Sequence, residues 1–340
     1  MKKVLKVIGI ILGILLIIVI GGYFFLMTHT QIIVGFIQKA SSDVVNTKNS
    51  FEPLREPYKG TKNNGQYTIA EINYSKDYPN SYLDITYPNE NIDEDRPTLF
   101  YFHGGGFFGG SKNDGDPLAE SDATALIDDI CAEGFNIVNV DYALVPDYHF
   151  PTPLIQANLA FEFMMNHAEE YHINMNNVVI MGSSAGAIIT SQLGSVITNS
   201  EYADLLGIKP TLKAEQVKAL VIDDAPLVYD KFPLATKILI GNYIKGSIYV
   251  SKDDIKKYNN ILSVDSNYIP SVLLGSEYHV DMRELDNKLK EVKVEHELID
   301  PLAERGLQKP HCFVGNERND EVSKDAFNRM IKFIKQHTNI

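Results

Sequence analysis

The sequence has too little cysteine and too scattered a histidine set to build a metal site. The nine histidines form no H-x-x-x-H pair beside a carboxylate, and the two cysteines form no C-x-x-C. The usual zinc-ligand spacings are therefore missing, and neither a metal nor a cofactor is expected. Cys131 and Cys312 allow one disulfide or two free thiols, but two cysteines in 340 residues do not make a disulfide framework. There is no internal repeat and no low-complexity run, which argues against a solenoid or a disordered chain.

Charge of one sign is also missing locally. The first thirty residues contain Lys2, Lys3 and Lys6 but no aspartate, glutamate or arginine. Removing those three lysines from the total of 31 basic side chains leaves 28 against 44 acidic ones, a formal charge of −16. Such a surface repels nucleic acid and anionic headgroups, so no nucleic-acid partner is expected.

The same thirty residues hold one long apolar run, from Val7 to Met27. This is about the length of helix that crosses a hydrocarbon core. A cleaved signal peptide has a shorter apolar region followed by a small-x-small site, whereas here the run ends in Tyr23, Phe24, Phe25, Leu26 and Met27. The reading is an uncleaved single-pass anchor over residues 1–30, with the lysines in the cytoplasm and the rest of the chain outside.

Residues 31–65 read as a linker or cap lead-in. Beyond them, apolar runs alternate with amphipathic stretches. Strands are predicted at 81–88, 97–106 (running into glycines), 135–142, 177–182 and 293–300, with two more short apolar runs at 217–226 and 271–275, and helices at 122–134, 153–171, 184–198, 281–292 and 320–337. Continuously apolar strands between helices imply an α/β domain over 66–340, with a mostly parallel sheet covered on both faces. Residues 199–216 and 228–262 look like insertions that supply part of a lid.

Three motifs carry chemistry. "VVIMGSSAGA" (178–187) runs an apolar strand into G-x-S-x-G, with Ser184 central and Gly182 and Gly186 flanking it. In that context the serine sits on a sharp strand-to-helix turn, where glycines let strand and helix approach. Ser183 is placed wrongly for this role and reads as a packing residue. Upstream, "FHGGGFFGGS" (102–111) follows a strand with three glycines. The N–H groups of Gly104 and Gly105, with that of Ala185, are candidate oxyanion donors; His103 reads as structural. The third motif, "DYALVPDYHFP" (141–151), is by itself only a turn with two prolines.

Together, and in this order, the motifs make the chain resemble the hormone-sensitive-lipase-like bacterial carboxylesterases of the α/β-hydrolase superfamily. In that family a D-Y-R-L-A-P-E-x-x-F-P segment lies between the glycine loop and the elbow. Asp141, Tyr142, Leu144, Pro146, Phe150 and Pro151 match it, whereas Ala143, Val145 and Asp147 depart from it. The resemblance covers about residues 80 to 335 and implies the α/β-hydrolase fold, a small-molecule ester substrate and the chain order serine, acid, histidine. "KPHCFVG" (309–315) resembles the family's P-H-G-F, which makes His311 the candidate base.

The acid is less plain. Where the family has an aspartate after the strand matching "IPSVLLG", this chain has His279. Asp281 is the candidate acid, with Glu277 as the alternative; Asp281 also fits a helix capping box with Glu284. The expected activity is a serine carboxylesterase acting on short acyl or acetyl esters. The rivals are a peptidase or amidase on the same triad, and an inactive tethered module. No oligomeric state is expected from the sequence.

Overall fold

The structure is a computed structural model that describes residues 2–112 and 124–340. Asp122 and Ala123, the first residues of the predicted helix 122–134, lie outside the described residues. The chain opens with α1 (Lys2–Thr28) and α2 (Gln31–Ser41). Nine strands follow: β1 (Tyr58–Thr61), β2 (Tyr67–Asn73), β3 (Tyr82–Tyr87), β4 (Pro97–Phe102), β5 (Asn136–Val140), β6 (Asn174–Ser183), β7 (Val217–Asp223), β8 (Ser271–Leu274) and β9 (His296–Ile299). The helices after β4 are α3 (Thr124–Ala132), α4 (Thr152–Asn166), α5 (Ala185–Thr198), α6 (Ser200–Leu206), α7 (Leu234–Lys245), α8 (Lys252–Tyr258), α9 (His279–Val292), α10 (Pro301–Arg305), α11 (Phe313–Asn316) and α12 (Glu321–Thr338).

The nine strands among the described residues form one sheet in the order β1-β2-β3-β5-β4-β6-β7-β8-β9. The pairs at the β1 end are antiparallel as far as β3–β5, and every pair from β5 to β9 is parallel. The period-two side-chain alternation of a strand accounts for the layers. Phe100, Phe102, Val178, Ile180, Leu220 and Ile222 face one core, with Leu154 and Phe161 of α4, Ile188 and Leu193 of α5 and Met282 of α9. Leu99, Tyr101, Val179, Met181, Ala219 and Val221 face the other, with Leu126 and Ile130 of α3 and Met330 and Ile334 of α12. Burial on both faces is why these strands are apolar throughout: each such side chain contributes roughly 1.5–3 kcal/mol. The fold is that of an α/β-hydrolase.

Residues 31–65, read from the sequence as a linker or cap lead-in, pack through α2 against α7. They contain α2 and the edge strand β1, and Val34 of α2 is fully buried in the core. Residues 199–216, expected to share in a lid, instead form α6 and the entry to β7, beside a surface hollow lined by Val196, Ala203 and Pro210. The segment 228–262 does carry α7 and α8, and α7 roofs the cavity described below.

Ile10–Thr28 of α1 is a stretch of 19 residues long and apolar enough to cross a membrane, with 6% of it buried. Only His29 and Thr30 separate α1 from α2. The junction is bonded to the end of α7: Ile248 N–H donates to Met27 O at 3.0 Å and Thr30 N–H to Gly246 O at 3.0 Å.

Candidate active site

β6 ends at Ser183 and α5 begins at Ala185, so Ser184 alone makes the turn. It sits at φ 55°, ψ −115°, a conformation a non-glycine residue adopts only at a cost of about 1–3 kcal/mol. Its N–H donates to Asp223 O at 2.8 Å, and its carbonyl accepts from Ala187 and Ile188 N–H. The flanking glycines are needed for packing. A Cβ on Gly182 would lie 2.2 Å from Gly186 O, and one on Gly186 would lie 1.9 Å from Phe102 O. Backbone cannot yield to such contacts, so small residues here are a steric requirement of the bend. Ser183 is turned away: Tyr101 donates to its hydroxyl at 3.2 Å, and that hydroxyl donates to Asp223 Oδ2 at 2.8 Å.

Ser184 and His311 line one cavity of about 260 Å³. Its apolar wall comes from Ile188 of α5, Pro226, and Leu239 and Ile240 of α7; Thr236, Glu277 and Tyr278 add polar groups. Ala185 and Gly106 also line it, so of the glycine loop it is Gly106, after Gly104 and Gly105, that reaches the cavity surface. The loop takes positive φ at Gly105 (103°), Gly106 (56°) and Phe107 (62°). Phe108 N–H closes it onto Gly105 O at 3.0 Å.

The loop's flanks explain the third motif. His103 is buried with its ring stacked on Tyr142 at 4.2 Å between centroids, while Tyr142 donates its hydroxyl hydrogen to His103 O at 2.6 Å. Asp141 lies 3.0 Å from Lys112 Nζ, which also meets Glu71 at 2.8 Å. Burial works against the Lys112 charge, but Asp141, Asp84 and Glu71 outweigh it and hold its pKa above the ordinary lysine value.

The carboxylate on His311 is neither of the expected ones. His311 Nδ1 lies 2.6 Å from Oδ2 of Asp224, the residue just past the end of β7. Asp224 is fully buried and takes four more donors: Ser276 N–H (2.8 Å), Ser276 hydroxyl (2.5 Å), Glu277 N–H (3.0 Å) and Tyr278 N–H (2.9 Å). Burial alone would raise its pKa. The hydrogen bond and charge of His311 and the bonds from Ser276 outweigh that and hold the carboxyl below its ordinary value.

Asp281 must be corrected. It lies in the first turn of α9, and its Oδ1 accepts from Leu227 N–H at 2.8 Å and Val228 N–H at 2.7 Å. It therefore fastens the chain after β7 and does not touch the imidazole. Nor is it the helix cap, since Tyr278 holds that position. Burial pushes its carboxyl up to about 6. Glu277, the alternative, points its Oε2 at His311 Nδ1 from 3.7 Å, beyond hydrogen-bond length, and is largely exposed. The signal missed in the sequence is the pair Asp223-Asp224 closing the apolar run "VKALVIDDAP". Ionisable residues at the carboxyl edge of a buried parallel strand face the region where such sheets place their ligands.

Cys131 and Cys312 are separate buried thiols. Among the described residues, no group of three or more histidine, cysteine or carboxylate side chains is arranged to hold a metal ion.

An "Esterase" of Gibberella moniliformis is 33% identical over 95 residues, which cover 28% of this chain and 28% of that protein. An "Acetyl esterase" of Salmonella paratyphi B is 29% identical over 92 residues, covering 27% of this chain and 26% of it. The matched stretch thus spans little more than a quarter of the length of these curated relatives. Among solved structures, esterase B of Lactobacillus rhamnosis superposes with a TM-score of 0.67 at 16% identity, over 83% of this chain and 88% of that one. A family model described as BD-FAE matches residues 83–274, more than half of the chain, from β3 to the end of β8. The chain belongs to the BD-FAE family.

Proposed function

We propose that the protein is a serine carboxylesterase, and that Ser184, His311 and Asp224 form its triad. The observation that carries this reading is the 2.6 Å contact of His311 with a buried carboxylate, in a cavity whose wall also holds the strained Ser184. Ser184 Oγ attacks the ester carbonyl. His311 Nε2 takes the hydroxyl proton and later gives it to the leaving alkoxide. Asp224, hydrogen-bonded to the other ring nitrogen, keeps that nitrogen protonated and favours the imidazolium that forms. Backbone N–H groups of the glycine loop, of which Gly106 and not the expected Gly104 and Gly105 lines the cavity, serve with that of Ala185 as the oxyanion donors, and the amino end of α5 adds its positive dipole. Water, activated by His311, then releases the acid.

The names of the relatives, esterase and acetyl esterase, favour ester over amide substrates. The modest apolar cavity favours short acyl groups. An inactive tethered module was attractive only while no carboxylate could be assigned to His311, and Asp224 removes that motive. We further propose that α1 anchors the protein in the cell membrane as a single pass, with Lys2, Lys3 and Lys6 on the cytoplasmic side and the α/β domain outside.

A fluorophosphonate probe tests the nucleophile. The intact protein is expected to be labelled once and to hydrolyse p-nitrophenyl acetate, and Ser184→Ala is expected to do neither. Equal labelling of both proteins would refute the assignment.

A further inference from the structure

The geometry points to Gln38 as a positioning residue for the glycine loop, a role that rests on Ser184 being the nucleophile. The loop needs an external fastener. Gly105, Gly106 and Phe107 are three consecutive residues at positive φ, and for Phe107 that conformation is strained. Such backbone persists only where the surroundings over-determine it.

Gln38, on the last turn of α2, supplies part of that constraint. Its amide nitrogen donates to Phe108 O at 2.9 Å and to Val145 O at 2.7 Å. Each of those residues is itself bonded back to the loop. Phe108 N–H donates to Gly105 O at 3.0 Å, and Val145 N–H donates to Phe107 O at 2.9 Å. One amide therefore joins two backbone segments that would otherwise present carbonyls to each other. The chain after α2 continues the contact: Gly110 N–H donates to Asn46 O at 2.8 Å, and a Cβ on Gly109 would come within 3.2 Å of the same oxygen. On its other side, Phe107 stacks on Tyr243 of α7. The glycine loop is thus held between α7 and a segment far upstream that, among the described residues, is not part of the lining of the cavity of Ser184 and His311.

The consequence is kinetic. Freed on one side, the loop relaxes, and its N–H groups no longer meet the developing oxyanion. Displacing a catalytic group by about 1 Å can cost about 100-fold in rate. Gln38→Ala in the full-length protein is expected to lower kcat by between about 10-fold and about 100-fold, with KM within about threefold of wild type. Fluorophosphonate labelling of Ser184 should slow in parallel, because it uses the same donors. Gln38→Glu keeps the size but offers only acceptors to two carbonyls, so it should lose at least as much. Gln38→Lys restores a donor and should recover part of the rate. Rates are read below the melting temperature of every variant, so that unfolding does not enter.

A Gln38→Ala enzyme with wild-type kcat would overturn the inference. So would a Gln38→Glu enzyme as active as the parent, or a rise in KM alone. If Gln38→Ala does not fold, the Glu and Lys variants decide by the same criteria. The two readings fail separately: turnover surviving in Ser184→Ala sinks the nucleophile, whereas a dead Ser184→Ala beside a normal Gln38→Ala sinks only the role of Gln38.

Discussion

Replacing Asp224 by asparagine should separate the acid of this site from its neighbours. The carboxylate has two oxygens with distinct duties. Oδ2 meets His311 Nδ1, the Ser276 hydroxyl and Glu277 N–H, while Oδ1 accepts from Ser276 and Tyr278 N–H. An amide has one oxygen. Placed at the Oδ2 position, it leaves the NH2 facing two backbone N–H groups that cannot turn. Placed at the Oδ1 position, it leaves the NH2 facing His311 and the rotatable Ser276 hydroxyl, with only Glu277 N–H opposed. The second arrangement is the better satisfied, and it forces His311 Nδ1 to accept. The ring proton then moves to Nε2, the nitrogen that must take the proton of Ser184. Inverting the tautomer in this way costs about 10⁴-fold in turnover, or about 5.5 kcal/mol of barrier. The opposed Glu277 N–H adds a stability loss of about 1–3 kcal/mol. The assay is p-nitrophenyl acetate hydrolysis at saturating substrate, with thermal unfolding of the same samples. Asp281→Asn is the control. Both of its N–H donors meet the single oxygen Oδ1, which an asparagine retains, so kcat should stay within about threefold. Loss of activity in Asp281→Asn together with retention in Asp224→Asn would refute the reasoning.

Three further outcomes are expected. Gly186→Ala drives a methyl to 1.9 Å from Phe102 O and 2.7 Å from His103 O; the fold should lose at least about 3 kcal/mol, read by urea unfolding, and an unchanged midpoint would contradict the steric account of the bend. Burial raises the folded-state pKa of Asp281 from 3.8 to about 6, so the folded protein holds a proton there that the unfolded chain releases. Its contribution is fully present below pH 4 and fades as pH rises to about 6, and wild type should lose up to about 3 kcal/mol relative to Asp281→Asn across that window; parallel stability–pH curves for the two proteins would refute this. Leu239→Ala opens the apolar wall of the cavity, and the ratio of kcat/KM for octanoyl over acetyl esters should rise about tenfold; no change would mean that the acyl chain lies elsewhere.

Much of this architecture was legible because the physics that made it is local. The runs at 97–102, 177–182 and 217–226 are mostly apolar because their middles are buried on both faces, and they lie where β4, β6 and β7 stand. The elbow was legible because two glycines are sterically compulsory there. The acid was not, because its place is decided by strand order and not by spacing. β7 lies between β6 and β8, so the end of β7 is one strand nearer the elbow than any residue after β8. Asp224 reaches His311 from there, while the backbone after β8, residues 276–278, wraps the carboxylate with donors. Asp281 attracted attention by position in a motif that this chain has rebuilt. Residues 31–65 read only as a linker or cap lead-in because α2 is short, with few polar positions to mark its outer face, and the contacts of Gln38 with Phe108 and Val145 join segments far apart in the chain.

The junction after α1 leaves almost no slack. With Met27 and Thr30 both bonded to the end of α7, the body cannot swing on a leash. If α1 spans a bilayer as proposed, the mouth of the cavity would keep one height and one heading above it. Anchored so, it would work on whatever comes within reach of that opening, and lengthening the two-residue joint would give it a wider field at the expense of aim.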